Sequence, residues 1–208
     1  LRSKRESSMK ELLLATNNLG KAREISQALS DLNLRILSLH DLGERIRVEE
    51  DGKTYLENAR KKAREVGLMT KKLTLADDSG LEVEALGGLP GVESANFARK
   101  GASDRENNEK LLKLLEGVPF ERRRARFRCV MVLFDPLEKV EEWVEGSVEG
   151  FILDHPRGEQ GFGYDPLFFI PELGKTLAEL PLEVKNSISH RGRALMAIKE
   201  VLKKRYKV

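Results

Sequence analysis

Cysteine is almost absent from this chain: of 208 residues, only Cys129 carries a thiol. An internal disulfide is thereby excluded, and a reducing, cytosolic setting is the simplest expectation. Cys129 lies in an apolar run and reads as a buried structural thiol, not a nucleophile. Long hydrophobic runs are missing as well. No stretch approaches the roughly 18 apolar residues of a membrane helix, and the charged segment Leu1 to Ser8 lacks the apolar core of a signal peptide. Residues 1–8 are read as a tag or a disordered tail, and 9–208 as one domain with one substantial core, built as two lobes. Nor does charge of one sign dominate. The 37 Lys and Arg stand against 34 Asp and Glu, so the net charge of +3 is the remainder of a mixed surface, which argues against a dedicated nucleic-acid coat.

What the chain does have is polar groups set hard against apolar runs. Leu73-Thr74-Leu75-Ala76 reads as a buried strand that ends in Asp77, Asp78, Ser79 and Gly80. Two readings stay open for this stretch. Asp, Ser and Gly are turn formers, but a rigid strand is also how a fold hands polar groups to a site at its tip. On an extended backbone, neighbouring side chains point to opposite sides. Asp77 and Asp78 are therefore expected to do different jobs, one holding a hard cation or a water and the other a lysine.

The remaining segments supply partners. Leu12 to Ala15 reads as a strand and Thr16-Asn17-Asn18-Leu19-Gly20-Lys21 as a polar loop, followed by Ala22, Ile25, Ala28, Leu29 and Leu32 at helical spacing. Such a loop suits an anion at a helix N-terminus, although the GxxxxGK[ST] spacing of a Walker loop is missing. An N-capped helix with a surface lysine is the plainer alternative. After the acidic turn around Glu50, Thr54 and Glu57 form a capping box for a helix with Leu56, Ala59, Ala63 and Val66 on its core face. Tyr55, Asn58 and Lys62 make a second stripe beside it. The glycine-dense segment Ala85 to Val92 reads as scaffold, and Ser103 with Glu106 caps a helix that buries Leu111, Leu112, Leu114 and Leu115.

Farther on, five arginines from Arg122 to Arg128 lead into a hairpin of two long strands, Phe127 to Phe134 and Val140 to Phe151. A solvated edge strand is expected there, with nucleic-acid contact as the lesser alternative. In Glu159 to Pro166, two glycines let an aromatic ring and a carboxylate meet with little steric cost, so a planar ligand can stack. Lys185, His190 and Arg191 precede a C-terminal helix that buries Leu195, Ile198 and Leu202.

Four of these segments, Thr16 to Lys21, Ala76 to Leu81, Gly161 to Pro166 and Ser189 to Gly192, closely resemble, in order, motifs of the inosine triphosphate pyrophosphatase family. The resemblance runs from about Met9 to the end of the chain. It implies an α/β fold with a mixed, elongated central sheet flanked by helices, two lobes around a central active-site cleft, and a homodimer. It also implies a Mg²⁺-dependent enzyme that hydrolyses the deaminated purine nucleotides ITP, dITP and XTP to monophosphate and pyrophosphate, cleansing the nucleotide pool. Carried over by position, Thr16, Asn17, Asn18 and Lys21 line the triphosphate, with Lys62, Ser79 and Lys185 in support. Glu50 and Asp78 hold Mg²⁺, Asp78 activates the attacking water, and Asp77 supports it. Phe162, with Gly163 and Tyr164 in the same loop, stacks on the base, while Asp165, His190 and Arg191 read its edge. Asn17 departs from the family pattern, which often has glycine there.

These roles are physically coherent. Mg²⁺ takes one or two carboxylates and completes its shell with phosphate oxygens and waters. Attack of water on an α-phosphorus needs charge neutralisation more than covalent chemistry, so no serine or cysteine nucleophile is required. A carbonyl at position 6 accepts hydrogen bonds from site donors that adenine would leave unpaired. Two alternatives remain at this stage: a pyrophosphatase for pyrimidine or modified nucleotides, and a non-catalytic nucleotide- or RNA-binding module.

Overall fold

The structure is a computed structural model and describes residues 9–43 and 45–208; the tag or tail expected at residues 1–8 lies outside them. Seven strands form one sheet in the order β2-β1-β3-β4-β5-β6-β7. They are β1 (Lys10–Leu14), β2 (Leu34–Ser38), β3 (Thr74–Val83), β4 (Arg124–Asp135), β5 (Val140–Ile152), β6 (Phe168–Ile170) and β7 (Lys175–Thr176). β1 runs parallel to both β2 and β3, whereas β5/β6 and β6/β7 are antiparallel, so the sheet is mixed. Among the described residues five α-helices accompany it: α1 (Leu19–Ala28), α2 (Tyr55–Thr70), α3 (Asp104–Leu114), α4 (Leu182–Ile188) and α5 (His190–Tyr206). None is long and apolar enough to cross a membrane.

The chain divides into two compact units. The first takes the chain up to Asp78, Val130–Glu145 and Ala194–Val208; the second takes Ser79–Cys129 and Gly146–Arg193. In the first unit, Leu12, Leu13 and Leu14 of β1 are buried, as are Ala59, Ala63 and Val66 of α2 and Leu195, Ile198 and Leu202 of α5. The buried stripe of α2 begins at Tyr55, not at the expected Leu56, because the polar Asn58 turns inward beside it. The second unit has its own core, in which Leu81, Phe127, Leu167, Phe168 and Leu177 pack with Leu111 and Leu115. Leu114 of α3 faces outward, contrary to expectation, while the capping box of Ser103 and Glu106 closes as expected.

Two further expectations are corrected. The Asp-Asp-Ser-Gly stretch is no turn, because β3 continues through it to Val83. The arginine-rich strand is no edge either, since β4 is the fourth of seven. Three of its five charges are absorbed locally: Arg126 and Arg128 bond the Glu82 carboxylate at 2.8 and 3.2 Å. Arg123 is buried and donates to the carbonyls of Leu115, Val118 and Leu153. A run with most of its charges consumed this way offers little to a phosphate backbone, which weakens the RNA-binding alternative.

Gly67 shows how tightly α2 is drawn in. A Cβ there would lie 2.7 Å from Cδ1 of Phe134. Gly67→Ala is expected to lower stability by about 1–3 kcal/mol through overpacking, despite alanine's better helix propensity. Urea unfolding of the two proteins measures it.

Candidate active site

The local topology selects where polar groups gather. The chain leaves β1 for β2 on one side and returns to β3 on the other, and open α/β sheets bind ligands at the carboxyl ends of strands around such a reversal. The β1 ladder ends where Leu14 faces Leu75 and Ala15 N–H donates to Leu75 O at 2.9 Å. β3 outruns it, so Asp77 and Asp78 lie just past the carboxyl end of β1.

In the first unit the two carboxylates meet different partners, as alternation on a strand requires. Lys21 Nζ lies 3.5 Å from Oδ1 of Asp77, which is buried, so Lys21 is not the surface lysine of the plainer alternative. Asp78, also buried, accepts from Asn58 Nδ2 at 3.1 Å. Lys62 Nζ pairs with Glu50 at 2.5 Å. Burial alone would depress the Lys62 ammonium, but the fields of Asp77, Glu50 and Asp78 overcome it and hold the pKa above its ordinary value. Burial pushes the Asp78 carboxyl up from 3.8 to about 6; Lys62 and Lys21 oppose the rise and Glu50 adds to it.

The loop after β1 is largely occupied with its own turn. Asn18 caps α1 by accepting from Lys21 N–H at 3.0 Å, and its own N–H donates to Thr16 Oγ1. Asn17 Nδ2 donates to the Ile46 carbonyl at 3.1 Å, so the residue that departs from the family pattern ties this loop to the segment before Glu50. Thr16, Asn17 and Asn18 line a cavity of about 360 Å³ together with Ser38, His40, Arg45 and Arg47. Sequence reasoning missed these last four. The one signal available was the alternation Arg45-Ile46-Arg47, in which the apolar residue is buried and its neighbours are exposed.

The second unit holds the other predicted residues. Asp165 is buried, pairs with Lys185 Nζ at 2.5 Å and accepts from Phe162 N–H at 3.0 Å. The Phe162 ring has Lys185 Nζ at 4.8 Å and the Arg191 guanidinium carbon at 5.5 Å from its centroid. Arg191 is buried and donates to Ser79 Oγ at 2.9 Å, while His190 stacks on Phe127 with 4.6 Å between ring centroids. Lys185 is thus grouped with the aromatic loop, whereas Lys21 and Lys62 sit with the Asp77 and Asp78 carboxylates.

Tyr164 is buried and donates its hydroxyl to Ser94 O at 2.7 Å; burial holds its phenol un-ionised. Gly163 donates its N–H to Asp104 and accepts from Asn108, so α3 anchors the loop. His190 and Arg191 open α5 instead of preceding it. Gly192 is required there because a Cβ would overlap the Asn186 carbonyl of α4.

This is a mixed α/β protein with one cluster of carboxylates and lysines at strand ends and a second cluster built on an aromatic loop. The Ham1 family model matches residues 12–201. The chain is 51% identical over 196 residues to a dITP/XTP pyrophosphatase of Desulforamulus reducens, covering 94% of this chain and 97% of that one. It is 54% identical over 194 residues to the protein of the same name from Geobacter sulfurreducens, covering 93% and 97%. Among solved structures, a HAM1 protein from Coxiella burnetii superposes with a TM-score of 0.83 at 40% identity, covering 94% of this chain and 100% of that one. The Staphylococcus aureus Ham1 protein gives 0.81, also at 40% identity, covering 94% and 99%. The chain belongs to the Ham1 family.

Asp78 makes a stability prediction that needs no substrate. Its folded-state pKa lies above the ordinary value, so the folded protein binds the proton more tightly, and ionisation costs stability as pH rises from about 4 through about 6. At about 1.4 kcal/mol per tenfold in proton affinity, the full cost near pH 7 is about 3 kcal/mol at most. Asp78→Asn, which mimics the neutral carboxyl, should therefore stabilise the metal-free protein at pH 7. The gain should vanish near pH 4, as urea titrations at the two pH values would show.

Proposed function

We propose that this protein is a nucleoside triphosphate pyrophosphatase that hydrolyses the non-canonical purine nucleotides dITP, ITP and XTP to the monophosphate and pyrophosphate. The observation that carries this is the meeting of the buried carboxylates Asp77 and Asp78 with Lys21 and Lys62, beside the more exposed Glu50. It stands in a chain about half identical to proteins named dITP/XTP pyrophosphatase.

The residues present fit a Mg²⁺ ion. Among the described residues no group of three or more His, Cys, Asp or Glu could hold a metal by itself. A pair of carboxylates with room for phosphate oxygens is what Mg²⁺ typically takes. The raised pKa of Asp78 marks a poorly hydrated carboxylate beside a second negative charge, which a cation would relieve. Glu50 and Asp78 would hold the ion, which supplies charge neutralisation at the phosphates and acidifies bound water.

The chain's own groups do the rest. Lys21, Lys62 and the loop from Thr16 to Asn18 orient the triphosphate. Asp78 takes the proton from the attacking water. The new bond forms between that water oxygen and the α-phosphorus as the bond from the α-phosphorus to the bridging oxygen breaks, and pyrophosphate leaves. At the base end, Phe162 supplies a ring to stack on. Lys185 and Arg191 supply donors for a carbonyl at position 6, with Ser79 and Asp165 holding those donors in place. A homodimer working in the cytosol completes this assignment.

Pyrophosphate release from ITP, XTP, dATP, GTP and UTP, with Mg²⁺ and with a chelator, tests it directly. Fast, metal-dependent release confined to ITP and XTP is expected. Release from UTP would keep the chemistry and overturn the specificity. Asp78→Asn should lower the rate at least 10³-fold while nucleotide binding stays measurable. Arg191→Ala should erode the preference for ITP over ATP by about tenfold or more, as expected for loss of a buried hydrogen bond to the base.

A further inference from the structure

The acidic segment that carries Glu50 and the strand that carries Asp78 are joined through one side chain. Asn58, on the first turns of α2 and only 2% exposed, accepts from Gly52 N–H through Oδ1 at 2.8 Å. Its Nδ2 donates to Asp78 Oδ2 at 3.1 Å and to Gly52 O at 3.4 Å. Two N–H donors and one acceptor are thus all used. The amide orientation is forced, because the flipped form would set Nδ2 against an N–H and Oδ1 against a carboxylate. Gly52 lies two residues after Glu50, and its own lack of a side chain keeps this arrangement possible. A Cβ at Gly52 would lie 2.6 Å from Asn58 Oδ1 and 2.9 Å from Glu57 Cβ.

We infer that Asn58 is a positioning residue that sets the spacing and orientation of the Glu50 and Asp78 carboxylates for a divalent cation, with Gly52 as its backbone counterpart. The inference rests on the metal-dependent function proposed above. Asn58 acts by holding one carboxylate directly and the segment of the other through its backbone. A rigid amide that bonds a ligating carboxylate preorganises it, and loss of such an outer partner typically costs 10–100-fold in metal affinity or activity.

The test uses Asn58→Ala, Gly52→Ala and the double variant, with Mn²⁺ alone as the probe, read by the loss of the free-ion paramagnetic resonance signal. Turnover of ITP against Mg²⁺ concentration is the second readout. Asn58→Ala should weaken Mn²⁺ binding and raise the Mg²⁺ activation constant tenfold or more, while KM for ITP at saturating Mg²⁺ stays within about twofold. Gly52→Ala should reproduce the effect by displacing the Asn58 amide, and the double variant should be no worse than Asn58→Ala. If Asn58→Ala fails to fold, Gly52→Ala decides the matter alone. Unchanged Mn²⁺ affinity in either single variant, or losses that multiply in the double, would overturn the inference and leave the pyrophosphatase assignment standing. Absence of metal-dependent pyrophosphate release from ITP or XTP by the unmodified protein would overturn that assignment as well.

Discussion

Two adjacent carboxylates buried in the middle of a β-strand are the constraint to which the first unit answers. Asp77 and Asp78 take different contacts, Lys21 for one and the Asn58 amide for the other, because a strand sends consecutive side chains to opposite sides. Neither can stay ionised without company, since the desolvation of a buried charge is large. Lys21 is brought to Asp77 from the first turn of α1, and Lys62 stands where it feels Asp77, Glu50 and Asp78 together. Asp78 is left incompletely compensated, and its carboxyl titrates near 6. A group in that state is poor for stability and well suited to a cation and a proton-accepting role.

The second unit solves a related problem differently. Asp165, Lys185 and Arg191 are all buried, and each is hydrogen-bonded to a named partner: Asp165 to Lys185 and to the Phe162 amide, and Arg191 to Ser79. The result is a pair of cations near one face-bearing ring, held by a carboxylate and a hydroxyl that keep them from wandering. Removing one member of such a set leaves another charge buried and unpaired, so these positions tolerate little change for reasons of stability. The loop itself depends on α3, through Asp104 and Asn108, and on the close approach of α4 and α5 at Gly192.

Much of the fold was legible in the chain. Apolar runs bounded by turn formers marked β1, β4 and β5, and caps at Thr54 and Ser103 marked the starts of α2 and α3, because these signals act over a few residues. The continuation of β3 through Asp-Asp-Ser-Gly was not legible. Local turn propensity argued against it, and pairing within the sheet overrode that propensity. The central place of β4 was hidden for a similar reason: five arginines look like solvent exposure until Glu82 and three backbone carbonyls are found to absorb three of them. The backbone carbonyls to which Tyr164 and Asn17 donate, those of Ser94 and Ile46, were likewise not legible in their motifs.

Sequence by itself determined which kinds of residue are available to meet, carboxylates with lysines and an aromatic loop with cations, and a family whose motifs recur in this order. It determined this because residue type carries charge, hydrogen-bonding capacity and local backbone preference. Only the tertiary structure decided which lysine meets which carboxylate, that Lys185 belongs with Asp165, that Asn58 spans Gly52 and Asp78, and that Asp78 is the carboxylate left to titrate near 6. Those outcomes depend on distance and burial between groups brought in from separate elements, and both are set by packing rather than by any stretch of chain alone.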